Sequence, residues 1–166
     1  MPNSNGRPSF VYVIYIASTP EKVWQALTSE EATEQYRFGY RLSSDWKVGS
    51  TYTATVPGGE PFEKGVVLES DPPRRLCYSW HAQYDDVKHE RPSRVTFELT
   101  PFKDQVELKI VHDVFDPGSK VFESISGGWP KVLSSLKSWL ETGQALGASW
   151  SSTDTKRHEE ARACST

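Results

Sequence analysis

The chain is 166 residues long, enough for one domain that buries roughly two-thirds of its unfolded surface without staples. Its formal net charge is −3 and its 19 basic residues form no block, which argues against a phosphate-tracking nucleic-acid surface. It has no apolar run of about 18 residues and no apolar N-terminal stretch, so neither a spanning helix nor a secretory leader is expected.

Residues 1–8 are polar and rich in Pro, Gly and Asn, and are expected to be disordered. Phe10 to Ala17 is β-branched and aromatic throughout and reads as a strand apolar on both faces. Ser18-Thr19-Pro20-Glu21 starts a helix, with a hydroxyl cap, a first-turn proline and an acid at the positive end of the dipole. Val23, Trp24 and Leu27 share one face of it, and Trp24 reads as a core anchor. A second short helix is predicted over Glu30 to Tyr36. The stretch from Phe38 to Val48 looks irregular. Gly49–Val56 and Phe62–Ser70 are strands around the turn Pro57-Gly58-Gly59-Glu60.

Leu76 to His81 is the next strand, and Gln83 to Pro92 a charged loop. Arg94–Thr100 and Gln105–His112 alternate apolar and polar residues and form the clearest hairpin. The longest helix begins between Ser119 and Trp129 and runs to about Leu146. It carries the stripe Val132, Leu133, Leu136, Trp139 and Leu140, with a kink or restart predicted at Gly127-Gly128-Trp129-Pro130 and Gly147 as the cap. Residues 147–166 read as a disordered polar tail. Cys77 sits in an apolar run and Cys164 in that tail, so a disulfide between them is not expected and a reducing, cytoplasmic setting is.

Strands with short turns pair as an antiparallel meander, and the last helix is the one large amphipathic partner that can cover it. The expected fold is α+β of the helix-grip kind over residues 9–146. A curved six-stranded antiparallel sheet wraps a long C-terminal helix, with two short helices between the first two strands.

Residues 15–28, Tyr-Ile-Ala-Ser-Thr-Pro-Glu-Lys-Val-Trp-Gln-Ala-Leu-Thr, resemble the opening of the START-like (SRPBCC) helix-grip superfamily. Ser44 to Ser50, Gly65 to Leu76 with Tyr78 to His81, and Ser126 to Lys137 narrow the resemblance to its bacterial activator of heat-shock-protein-90 ATPase homologue-like branch. The superfamily includes lipid and hormone carriers, aromatase/cyclases and co-chaperone domains. The resemblance therefore implies a ligand cavity, or alternatively a stress-linked chaperone partner.

Candidate pocket residues are Ile14, Phe38, Trp46, Tyr52, Val67, Trp80, Phe97, Ile110, His112, Trp129 and Leu133, an apolar wall with a few polar groups. Gly127-Gly128 would let the backbone come close to the sheet or a ligand, with Trp129 over the cavity mouth. His81, Arg94 and His112 fall at strand ends that meet at one edge, near Asp113, Asp85, Asp86 and His89. Their spacing fits no metal-ligand motif, so neither a metal nor a cofactor is expected. Glu63 and Glu69 share a strand parity that fits paired cavity carboxylates but reads more readily as a solvated outer face. No nucleophile elbow, phosphate loop or His-Glu-x-x-His motif is present.

Three uses remain open. The first is non-catalytic binding of a small apolar or aromatic molecule or a lipid. The second is stimulation of a chaperone ATPase through a protein contact. The third is cyclase- or hydrolase-like catalysis by His112 with Tyr52 or Arg94. A monomer or a homodimer through an exposed edge strand fits each of them.

Overall fold

The computed structural model describes residues 6–147. The tail with Trp150 and Cys164 lies outside the described residues, as does most of the predicted N-terminal disorder. The elements in chain order are β1 Phe10–Ile16, α1 Pro20–Thr28, α2 Glu30–Tyr36, β2 Arg41–Ser43, β3 Thr51–Thr55, β4 Glu63–Asp71, β5 Arg75–Ala82, β6 Ser93–Phe102, β7 Gln105–Asp113 and α3 Lys120–Thr142. The helix-grip architecture is as expected, with one strand more. Arg41–Ser43, in the stretch read as irregular, pairs with β3, and the curved antiparallel sheet runs β1-β7-β6-β5-β4-β3-β2. Three residues carry too little alternation to register as a strand, and pairing alone defines this one.

Local chemistry sets the helix entries. Thr19 accepts from the Lys22 N–H and Ser29 from the Ala32 N–H, so α1 and α2 each open on a hydroxyl cap. Ser119 caps α3, and Glu90 in the β5–β6 loop accepts from Lys120 N at 2.9 Å, holding that end against the loop. The predicted break at Gly127-Gly128-Trp129-Pro130 is absent, and α3 is continuous through Pro130. A proline there removes one helical N–H donor, and the helix continues past it with Val121, Ile125, Trp129, Leu133 and Leu136 buried on its sheet side. The cap is Gly143, in left-handed conformation at φ 80°, rather than Gly147.

The core fills the concave side of the sheet. Ile16, Tyr52, Val67, Leu76, Tyr78, Val95, Phe97, Leu108 and Ile110 are buried against the α3 stripe. At the far edge Lys137 donates to the Tyr15 carbonyl at 2.8 Å, and Ala17 N–H donates to Glu141 at 2.8 Å, tying the end of α3 to β1.

β4 has two features that sequence alternation does not show. Its register slips between Val67 and Glu69, a β-bulge that reverses the inward parity of the strand. Upstream of the bulge, Gly65 lies directly across from Tyr52 on β3. A Cβ there would come within 1.8 Å of the Ser79 carbonyl oxygen and 2.4 Å of the Tyr52 ring. Glycine at this position therefore lets β3, β4 and β5 close up and seats the Tyr52 ring. Gly65→Ala is expected to destabilise the chain by roughly 3 kcal/mol through overpacking, read as a lowered urea midpoint. An unchanged midpoint would show that the strands have room to move apart.

Candidate functional site

A cavity of about 230 Å³ opens where the end of α2 and strands β2 to β5 meet the middle of α3. Leu42, Ala54, Ala82, Ile125 and Val132 supply aliphatic wall, with Gly128 on the helix side. Tyr40, Phe62 and Tyr84 form an aromatic rim. The Tyr40 and Phe62 rings are 4.7 Å apart, and those of Phe62 and Tyr84 stack at 6.0 Å. Trp80 and Trp129 close the inner end.

That inner end is held by a chain of hydrogen bonds. Trp129 Nε1 donates to His112 Nδ1 at 3.0 Å, which leaves the ring proton on Nε2, 2.7 Å from Ser93 Oγ. Ser93 in turn donates to the Trp80 carbonyl at 3.3 Å. Aromatic rings surround the imidazole, with Trp80 at 4.5 Å and Phe115 at 4.6 Å between centroids. Burial holds the pKa of His112 well below its usual 6.5, so the ring is neutral with both nitrogens engaged. Its work is to fix α3 over β5, β6 and β7.

The other polar groups of the cavity are not closed off in this way. Arg37 follows α2 and is 8% exposed, and Glu63 at the start of β4 is 6% exposed. The Arg37 guanidinium carbon lies 5.3 Å from the Trp129 ring centroid and 6.0 Å from that of Tyr36. Arg37 Nε, Glu63 Oε2 and Trp80 Nε1 are buried without hydrogen-bond partners. Burial pushes the Glu63 pKa up to about 7, against the downward pull of Arg37 and Tyr52. Tyr52, behind this wall, is held well above its usual range by burial and the neighbouring Glu63.

Of the residues the sequence nominated, Trp80 and Trp129 line the cavity. Trp46, Tyr52, Val67, Phe97, Ile110, His112 and Leu133 are buried in the core behind it rather than on its surface. Ile14 is half-buried on β1, which lies beyond β7 at the far edge of the sheet. Phe38, with φ 59°, turns away to line grooves with Leu146. The side chains of β1, β6 and β7 fill their part of the bowl, Tyr52 and Val67 fill the floor under β3 and β4, and the cavity opens beside Leu42, Ala54, Phe62 and Ala82.

The His81–Arg94–His112 grouping does not form. Arg94 makes a two-pronged pair with Asp113 at 2.9 and 2.7 Å, His81 bonds the Lys88 carbonyl, and His112 is inside. Among the described residues no three of His, Cys, Asp and Glu gather closely enough to hold a metal ion. Glu63 and Glu69 also part company. Glu69 pairs with Arg75 at the surface at 2.6 Å, whereas Glu63 lies inside, because the bulge falls between them. The sequence reading missed Arg37, Tyr40, Phe62 and Tyr84, and for Glu63 it preferred the solvated face over the cavity. One signal was available for Glu63: it shares parity with the inward Val67, four residues on.

A family model described as Activator of Hsp90 ATPase homolog 1-like protein matches residues 17–141. Protein MLL2253 from Mesorhizobium loti is 26% identical with a TM-score of 0.71, over 81% of this chain and 97% of that one. The Aha1 dimer from Colwellia psychrerythraea is 22% identical with a TM-score of 0.70, over 83% and 99%. PFC0360w, an HSP90 activator from Plasmodium falciparum, is 23% identical with a TM-score of 0.62, over 73% and 86%. No curated protein sequence matches the chain.

Two outcomes are expected. Trp129→Phe leaves His112 Nδ1 buried without its donor and should cost about 2 kcal/mol in urea unfolding; a loss below about 0.5 kcal/mol would remove the bond from the account of α3 docking. Glu63 binds its proton more tightly folded than unfolded, where its pKa is about 4.5. The stability it contributes is therefore full below pH 4.5 and lost as pH rises through about 7, amounting to roughly 3 kcal/mol. His112 has the opposite sign, contributing above its unfolded value and less as pH falls. Comparison with Glu63→Gln cancels the histidine. The difference in unfolding free energy between wild type and Glu63→Gln should decline across that window, and a flat difference would mean Glu63 ionises as if exposed.

Proposed function

We propose that this chain, which belongs to the Activator of Hsp90 ATPase homolog 1-like family, holds a small aromatic or apolar molecule in the cavity between α3 and β2–β5 without transforming it. The observation that carries this reading is the combination of an aromatic, mostly apolar wall with three unpartnered polar atoms, on Arg37, Glu63 and Trp80. Ligand sites have this character, because apolar surface provides affinity and a few convergent polar groups fix orientation. Buried polar groups are otherwise almost always bonded, so these must be served by water or by a guest.

Size narrows the guest. An apolar cavity of about 150 Å³ admits benzene, so about 230 Å³ suits one ring with a short side chain, or a small bicycle, better than a long lipid chain. Catalysis has less support: both His112 nitrogens are engaged, and no carboxylate or histidine hydrogen-bonds Ser124, the serine in the wall.

A second reading, stimulation of a chaperone ATPase, is supported by the family description and by structural neighbours that include an HSP90 activator. Hsp90 turnover measured with and without the chain decides it, an unchanged rate ruling the role out.

Gly128 gives a test of the cavity itself. A Cβ there meets nothing within 4 Å, so a larger side chain enters the open space. Replacing a mid-helix glycine also removes a propensity penalty of about 0.5–1 kcal/mol. Gly128→Leu is expected to leave the chain folded and at least as stable, while weakening binding of 2-naphthol and ethylbenzene, followed by tryptophan fluorescence, by tenfold or more. No spectral change in wild type with any compound of an aromatic panel, neutral or acidic, would end the carrier reading.

A further inference from the structure

We propose that the natural occupant is a small aromatic acid whose carboxylate sits on Arg37, and that Glu63 takes up a proton as it binds. This rests on the cavity reading above and adds the chemical class of the guest.

Arg41, Arg74, Arg75, Arg91 and Arg94 each pair with a carboxylate near the surface. Arg37 is the one of this set of arginines that is buried; among the described residues it makes no ion pair, with Glu63 attracting it only through space and the Tyr36 and Tyr78 hydroxyls against it. Its guanidinium is held between the Trp129 and Tyr36 rings, with Nε unpartnered. A guanidinium does not lose its proton in a protein, and a buried charge without a bonded counter-ion is expensive. A ligand carboxylate answers that need with two parallel hydrogen bonds.

The donor count points the same way. Of the unpartnered atoms on residues that line the cavity, Arg37 Nε and Trp80 Nε1 are donors and Glu63 Oε2 is the one acceptor. An ionised carboxylate is acceptor-only, so it complements the donors without adding to them. An amide or an amine would bring donors of its own.

Charge then decides the state of Glu63. With Arg37 at +1 and the guest at −1, an ionised Glu63 would leave a net negative charge in an apolar wall, and two carboxylates in one site do not both ionise readily. A protonated Glu63 restores neutrality and becomes a third donor. Burial already places Glu63 at about 7, so the proton is taken up at little cost near neutral pH.

The groups facing Glu63 are few. They are Arg37 after α2, Tyr52 on β3, Tyr78 on β5 and Tyr84 beyond it. Burial raises all three phenols, so they stay neutral in this range. α3 presents Ser124, Ile125, Gly128, Trp129 and Val132 to the cavity, none of them an acid or base. His112 behind them is kept neutral.

Isothermal titration of the full chain separates the two readings. The guests are 3-phenylpropanoate, its primary amide, its methyl ester, ethylbenzene and octanoate, from pH 6 to 8.5 in buffers of differing ionisation enthalpy. The acid should bind at least tenfold more tightly than amide or ester at pH 6.5 and exceed octanoate. It should take up close to one proton above pH 7, its affinity falling up to tenfold per pH unit there. Arg37→Met should abolish the preference for acid and keep ethylbenzene binding. Glu63→Gln should keep the preference and lose the pH dependence, which covers the case in which Arg37→Met does not fold. Ethylbenzene binding without preference for the acid overturns this inference and leaves the cavity reading standing. Preference for octanoate overturns the aromatic part, and acid binding without proton uptake the role of Glu63. If none of the five binds, both readings fall.

Discussion

The Trp129 indole N–H donates to a neutral His112, a directional constraint inside the core on how α3 lies over the sheet. Aliphatic packing alone is non-directional and leaves a helix free to slide or roll on a curved surface. A donor that must find one ring nitrogen inside the core removes that freedom. Ser93 and the Trp80 carbonyl extend the constraint across β6 to β5, so one helix is tied to three strands. With α3 fixed, Gly128 and Val132 face the open part of the bowl, and its aromatic inner wall is set.

The concave face thus carries two polar groupings with opposite properties. The His112 chain is closed, each member serving the next, and adds rigidity. The Arg37–Glu63–Trp80 grouping is open, with hydrogen-bonding capacity aimed into an apolar space. The fold supports the second because the first holds the walls apart. Gly65 and the Tyr52 ring form the floor behind Glu63, while Tyr36, bonded through its hydroxyl to the Ala26 carbonyl, supports Arg37 from beneath.

Much of the fold could be read from the chain because its signals are local. Hydroxyl caps and Pro20 mark α1, alternation in β6 and β7 gives the hairpin, and the apolar stripe of α3 requires a sheet to cover. The site was harder to read because its residues are placed by long-range events. Arg37 is one charged residue after a short helix, and only the docking of α2 against α3 makes it interior. Glu63 is inside because its strand is read before a bulge rather than after it. Trp80 and Trp129 were legible because large aromatics at a strand end and a helix centre have few other places to go. His112 was legible as inward but not as saturated, since its partners come from distant elements. The break assigned to Gly127-Gly128 and Pro130 failed because propensity is a weaker term than burial of five side chains on one helix face.

The bulge in β4 divides one strand into two segments of opposite phase. Residues before it present Glu63, Gly65 and Val67 to the interior, while Glu69 beyond it enters a surface network with Arg75 and Glu98. Glu63 of the first segment lines the cavity, whereas Glu69 of the second lies outside it on the surface. One strand therefore houses two carboxylates of opposite circumstance, one shut in among rings and one dissolved in a lattice of surface charge.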